Sequence, residues 1–237
     1  MLCQMAEDFL ASLSVEDADA LRTAGIRRTY GANVALLHQA DEAGPVVVLL
    51  AGRAKITFTG AGREAIFGVV GPGELVGELA AVDDSPRSTT VTTLERVDAL
   101  VIPRSDFLAL LDRRPRIALV ILRMVARRLR YADTQRAEFA ALDVAGRLAQ
   151  RLLELGERFG TPEERGIEIR LPLSQEELAS WVGASREAVS KAFQLLRTLH
   201  IVETGRRRVT VLDLDALRRH AHGYSDSYAS SGSSSSA

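Results

Sequence analysis

The stretch "LSQEELASWVGASREAVSKAFQLLRTL", Leu173 to Leu199, carries the most local structural instruction in the chain. Ser174 is followed three residues later by Glu177, the spacing of a capping box in which a hydroxyl and a carboxylate each satisfy an orphan amide, so a helix is expected from Gln175. Gly183 supplies a tight turn, and Ser185 stands where it would cap a second helix from Arg186. Two helices joined by "VGAS" are the sequence form of a helix-turn-helix. On the second helix Val189, Phe193 and Leu196 share one face, with Leu178 and Val182 of the first as packing partners. Opposite them lie Glu187, Ser190, Lys191 and Gln194, with Arg186 at the exposed N-terminal end. A recognition helix presents such residues to base edges in the major groove, where arginine pairs with guanine and glutamate accepts from the cytosine amino group. On a merely solvated helix, Glu187 and Lys191 would instead form an i,i+4 ion pair.

The next residues extend the nucleic-acid reading. "HIVETGRRRVTVLD", His200 to Asp213, has two apolar runs around Gly205 and an arginine triplet, a β-hairpin tipped with Arg206 and Arg207. A wing of this kind contacts phosphates and adds salt-dependent, sequence-independent affinity. From Arg186 to Arg208 there are six basic and two acidic side chains, whereas the whole chain carries a net charge of only −1. The electrostatic footprint is therefore local.

Upstream the pattern changes twice. "RIALVILRMVARRLRYADTQRAEFAAL", Arg116 to Leu142, is the longest helical pattern, about 40 Å at 1.5 Å per residue. Leu122, Val125, Leu129, Ala132 and Phe139 fall on one stripe of it, which a coiled-coil dimer seam would bury, packing on its own chain being the other possibility. From about Ile26 to Val101, short β-branched or apolar runs alternate with glycines: "VVVLLAG", "AKITFTG", "EAIFGVVG", "STTVTTL" and "VDALVI". Regularly spaced short strands predict an all-β roll or barrel. Met5 to Leu21 has apolar residues at helical spacing, and "RSDFLALLDRRP" reads as a short helix ended by Pro115. The expected organisation is α+β: a β-roll over 1–115, a dimerisation helix over 116–142, a winged helix-turn-helix over 143–222, and a disordered Ser-rich tail over 223–237.

Composition excludes several classes. With 46% hydrophobic and 26% charged residues the chain can bury a core, yet the runs "PVVVLL" from Pro45 and "IALVIL" from Ile117 are too short for a membrane span. The start, "MLCQMAEDFL", lacks the basic flank of a secretion signal, so a cytoplasmic location is expected. Cys3 is the single cysteine, and of the histidines, His38, His200, His220 and His222, only the last two are close in sequence. No disulfide, metal site or catalytic constellation is expected from them.

The stretch "GELAAVDDSPRST", Gly77 to Thr89, admits two readings from spacing alone: a solvated loop between strands, or a binding cassette. The order of its parts weighs on the choice. A β-roll holding Gly-Glu-Leu…Arg-Ser-Thr, a long helix, "LDVAGRLAQRLLEL" and "GASREAVSK" together resemble the cyclic-AMP receptor branch of the CRP/FNR transcription regulators, from about Ile26 to Leu217. The resemblance implies a cyclic nucleotide, cyclic AMP first, as a non-covalent allosteric effector. It implies that Glu78 accepts from the ribose 2′-hydroxyl, that Arg87 neutralises the phosphate, that Ser88 or Thr89 adds donors, and that Gly77 and Leu79 bring the chain against the sugar. "AAVDDSP" becomes the loop between the sugar and phosphate contacts, one residue shorter than in the best-known pattern. A Thr-Ser pair on the dimer helix that meets the base is replaced by Ala132 and Asp133, with Thr134 one position late; Asp133 can bond a base amino group, meet a guanine edge or make no contact.

The same resemblance assigns base reading to Arg186 and Glu187, with Lys191 in place of a second arginine, and phosphate contacts to Ser174, Gln175 and Ser185. The implied partners are a second copy of the chain, a double-stranded operator with a TGTGA-like inverted repeat, and RNA polymerase. Two alternatives stand beside a ligand-gated regulator: a regulator of this fold that needs no effector or another one, and a nucleotide-sensing module that docks on protein rather than DNA.

Overall fold

A computed structural model describes residues 8–60, 62–170 and 173–223. The chain divides into two compact units, 1–133 and 134–237.

In the first unit, Asp8 accepts the Ala11 amide and closes a turn, and Ser14 Oγ accepts the Asp17 amide to start α1 (Val15–Ala24). The helix expected over Met5 to Leu21 therefore begins later and runs further, because the Ser14 cap sets the start; residues 5–7 lie outside the described residues. Then follow β1 (Ile26–Tyr30), β2 (Ala35–Leu37), β3 (Val46–Ala51), β4 (Ala54–Gly60), β5 (Arg63–Val70), β6 (Leu75–Val76), α2 (Glu78–Asp83), β7 (Thr90–Thr93) and β8 (Val97–Ile102). They form two antiparallel sheets in the orders β1-β8-β3-β6 and β2-β7-β4-β5.

The alternation along β3 explains its unbroken apolar run. Val47 and Leu49 join a core between the sheets with Val70, Val91 and Ala99. Val46 and Val48 point the other way, into a cluster with Leu21, Leu100, Ile102 and Phe107. Strands covered on both faces lose the polar positions of a half-buried strand. Each buried valine or leucine contributes about 1.5–3 kcal/mol, which fixes the register.

α3 (Arg104–Arg113) ends at Arg114, and Pro115 opens α4 (Pro115–Ala141), where the missing amide of a first-turn proline costs nothing. Ile117, Ile121 and Met124 of α4 are buried in the helix-facing cluster. Leu122 and Leu129 remain 63% and 62% exposed, so the stripe picked out by spacing is a second apolar face of this helix.

The second unit takes the end of α4 and adds α5 (Val144–Phe159), β9 (Thr161–Glu163), β10 (Gly166–Arg170), α6 (Gln175–Val182), α7 (Arg186–Thr198), β11 (Val202–Gly205), β12 (Arg208–Val211) and α8 (Leu214–Ala221). Asp143 caps α5 by accepting the Gly146 amide at 2.8 Å. The expected wing is β11–β12, and it belongs to a larger antiparallel sheet, β11-β12-β10-β9. α5 packs on α7 and α8 through Leu148, Leu152 and Leu155 among other buried side chains. Where α4 meets α5, Arg151 bridges Glu138 and Glu154, and Glu154 also holds Arg158, a largely buried ion cluster. Burial pushes the Glu138 carboxyl above its usual range against the opposing pull of Arg151. Of the tail expected from 223, residues 224–237 lie outside the described residues. No helix among the described residues is long and apolar enough to cross a membrane.

Candidate functional site

In the first unit the chain leaves β6 through Gly77, which adopts φ 85°, and enters α2 at Glu78. A side chain at Gly77 would place Cβ 2.5 Å from Arg87 Nη1 and 2.9 Å from Leu37 Cδ1. Both the left-handed backbone and the close approach call for glycine here. The expected loop "AAVDDSP" is instead helical as far as Asp83, so only 84–86 link α2 to Arg87. Glu78, Leu79, Ala80 and Ala81 are residues compatible with a helix, and α3 secures the far end: Arg104 Nε donates to the Ala81 carbonyl at 2.9 Å, and Arg104 pairs with Asp84 at 2.8 Å.

Glu78 and Arg87 are both buried, and both already have partners. Glu78 Oε1 accepts from Arg128 Nη1 at 2.7 Å, while Arg128 Nη2 donates to the Leu75 carbonyl at 2.7 Å. Arg87 Nη2 donates to the Pro45 carbonyl at 2.6 Å and Nη1 to the Gly77 carbonyl at 3.0 Å. Burial lowers the Arg87 guanidinium pKa, opposed by Asp41 and Glu78, but a guanidinium stays charged at any physiological pH. The two carbonyls fix the plane of the fork and leave donors over for an anion.

Gly77, Glu78, Leu79, Arg87, Ser88 and Thr89 all line one cleft. Its remaining wall includes Leu37, Ile56 and Val91, and Arg128 closes it from α4. The cavity measures about 60 Å³, against roughly 300 Å³ or more for a site that encloses a drug-sized ligand. A nucleotide must therefore widen it. Ala132 and Asp133 are exposed on α4 and do not line this cleft. Arg128, one turn before Ala132, does. Sequence reading passed over Arg128 because an arginine in "ARRLR" looks like part of a solvated basic face; its spacing from Ala132 was the available signal.

The second unit assembles the nucleic-acid face. Ser174 Oγ accepts from the Glu177 amide at 3.1 Å and the Ser174 amide donates to Glu177 Oε2 at 2.7 Å, so the capping box forms at α6. Gly183 ends α6 at φ 67°, and Ser185 Oγ caps α7 by accepting the Ala188 amide. Val189, Phe193 and Leu196 are buried, whereas Arg186, Glu187, Ser190, Lys191 and Gln194 are exposed. Arg186 Nε donates to Gln175 Oε1 at 3.3 Å. Glu187 and Lys191 form no ion pair among the described residues. A backbone hydrogen bond at Glu187 and the Ser185 hydroxyl hold the Glu187 carboxyl below its usual range, which keeps it an acceptor. Arg206 and Arg207 are exposed at the tip of the β11–β12 hairpin.

These two constructions define a class: a regulator with a phosphate-type cassette in a β-roll and a winged helix-turn-helix in the same chain. Residues 27–114 match the family model of the cyclic nucleotide-binding domain, and residues 146–220 match that of the Crp-like helix-turn-helix domain. The CRP-like cAMP-activated global transcriptional regulator of Mycobacterium tuberculosis is 35% identical over 175 residues, 73% of this chain and 78% of that protein. The cyclic AMP receptor protein of Thermus thermophilus is 29% identical over 212 residues, 89% and 95% of the two chains. Among solved structures, the c-di-GMP responsive global regulator CLP of Xanthomonas campestris matches with a TM-score of 0.74 over 84% of this chain and 100% of that one, at 22% identity, a likeness of fold alone. The chain belongs to the CRP/FNR family of transcription regulators, close to its cyclic-AMP receptor branch.

Proposed function

We propose that the protein is a homodimeric, sequence-specific transcription regulator whose hold on DNA is set by a cyclic nucleotide, with cyclic AMP as the effector. The observation that carries this reading is the pairing of a buried Glu78 and Arg87 around one cleft with an exposed Arg186 and Glu187 on a capped helix. Arg87 neutralises the cyclic phosphate, assisted by Ser88 and Thr89. Glu78 takes the ribose hydroxyl, with Gly77 and Leu79 shaping the approach. Ala132 and Asp133 stand toward the base, Asp133 from the second subunit. The open leucines of α4, Leu122 and Leu129, supply the apolar surface that a second copy would bury.

On DNA, Arg186 and Glu187 read a TGTGA-like half-site, Lys191 reads with looser geometry than an arginine, and Ser174, Gln175, Ser185, Arg206 and Arg207 hold phosphates. A cytoplasmic location and contact with RNA polymerase belong to the same reading. The effector acts only through its differential affinity for the two dimer arrangements.

A second reading, an effector-independent regulator, is favoured by one observation: Glu78 and Arg87 are already satisfied by Arg128, Pro45 and Gly77, and the cavity is small. Calorimetric titration with cyclic AMP and cyclic GMP, with Arg87→Ala as control, separates the two. Saturable binding lost in the variant supports the ligand-gated reading; no heat from either nucleotide sinks it. Sequence-specific retardation of an operator duplex, abolished by Arg186→Ala, excludes the protein-docking alternative.

A further inference from the structure

The winged unit contains a second cleft, of about 320 Å³, between the start of α6, the C-terminal half of α7 and the β11–β12 hairpin. Phe193 and Val209 contribute an apolar floor, Ser190 and Thr204 hydroxyls, and Arg197 and Arg207 positive charge. No carboxylate among the described residues lines it. An acid-free cleft rimmed by guanidinium groups favours an anionic occupant.

Arg197 has no part in the DNA reading set out above, yet its position is specific. It follows Ser190 by seven residues and Gln194 by three, so it lies on the exposed face of α7 that carries both. In the last turn of a helix, an arginine on its own would turn toward the free carbonyls. Arg197 reaches across to the hairpin instead, donating from Nη1 to Thr204 Oγ1 at 3.1 Å. That bond uses one donor and holds the fork at the mouth of the cleft, with the remaining donors left for an acceptor. A DNA strand whose bases meet Arg186 and Glu187 carries its phosphates along the edge of the same helix face. The apolar floor suits the deoxyribose beside such a phosphate.

We propose that Arg197, held by Thr204, is a phosphate-binding residue that seats one backbone phosphodiester of DNA in the cleft between α7 and the hairpin. The proposal rests on the DNA-binding reading. It makes the hairpin and the recognition helix close on the same phosphate, with no sequence information carried by the contact.

The test is the salt dependence of binding, measured by fluorescence anisotropy on a duplex with a TGTGA-like inverted repeat and on a scrambled duplex. Losing one phosphate contact reduces the slope of log K against log salt by about 0.9, which is about a 3.5-fold smaller loss of affinity from roughly 50 to 200 mM salt. Arg197→Ala and Arg197→Gln should both show this reduction, equally on the two duplexes, and Arg197→Gln keeps a donor for Thr204 should the alanine variant fold poorly. Arg22→Ala, which removes an exposed charge from the other unit, should leave the slope unchanged. A wild-type slope in Arg197→Gln overturns the assignment. Absence of salt-dependent binding by the unmutated protein to either duplex overturns the DNA reading itself, a distinct result.

Discussion

Replacing Arg128 with methionine tests whether α4 is tied to the nucleotide cassette by a buried charge. Glu78 has a side chain only 3% exposed, and Arg128 is its partner at 2.7 Å. Methionine keeps most of the apolar stem but leaves the carboxylate and the Leu75 carbonyl without these donors. Removing one partner of a buried pair costs about 3–5 kcal/mol. Because the Arg128 side chain is 25% exposed, water relieves part of that, and the expected loss is about 2–3 kcal/mol. Glu78→Gln alone leaves a guanidinium that water can reach, so its cost is expected to be about 1 kcal/mol. In the double variant no unpaired carboxylate remains, and the two losses should overlap by about 1–2 kcal/mol. Native-state hydrogen exchange at the amides of β3 and β8 reports the opening of this unit directly. Additivity within about 0.5 kcal/mol would refute the idea that Glu78 depends on α4.

Other consequences concern separate parts of the chain. Gly183→Ala forces an alanine to φ 67° and puts its Cβ 2.2 Å from Phe139 Cε1, so the winged unit should lose at least about 1 kcal/mol in thermal unfolding. Adding Phe139→Leu should return the steric part and not the backbone part. Ser174→Ala removes the hydroxyl of the capping box and should cost about 1 kcal/mol, seen as faster exchange of the Glu177 amide. The Arg114 hydrogen bond, with that of Ser14, holds the Asp17 carboxyl below the usual carboxylate range. A depressed folded-state pKa gives stability that is present above the ordinary value and lost as pH falls through the folded one. Arg114→Ala should therefore flatten the fall of melting temperature with acid below about pH 4, and an unchanged acid limb would count against the pair.

What sequence spacing made legible was whatever a few consecutive residues decide together. Ser174 and Glu177 form their box, Gly183 its turn and Ser185 its cap, because each bond spans three or four residues. The continuous apolar runs of β3 and β8 were legible for a similar reason: burial on both faces removes polar residues from the string. Elements held by distant groups were not. β2, β6 and β9 are too short to show a period, and their pairing is settled by partner strands. The cassette helix α2 looked like a loop, since its bounds depend on Gly77 meeting Arg87 and on Arg104 holding Ala81. Even in the cassette, sequence named Glu78 and Arg87 but not what touches them. Arg128 comes from 50 residues away and the Pro45 carbonyl from 42. A string of residues records which groups can ionise or donate; whether a buried carboxylate meets a guanidinium depends on how α4 packs against the roll, and only the tertiary structure decides that.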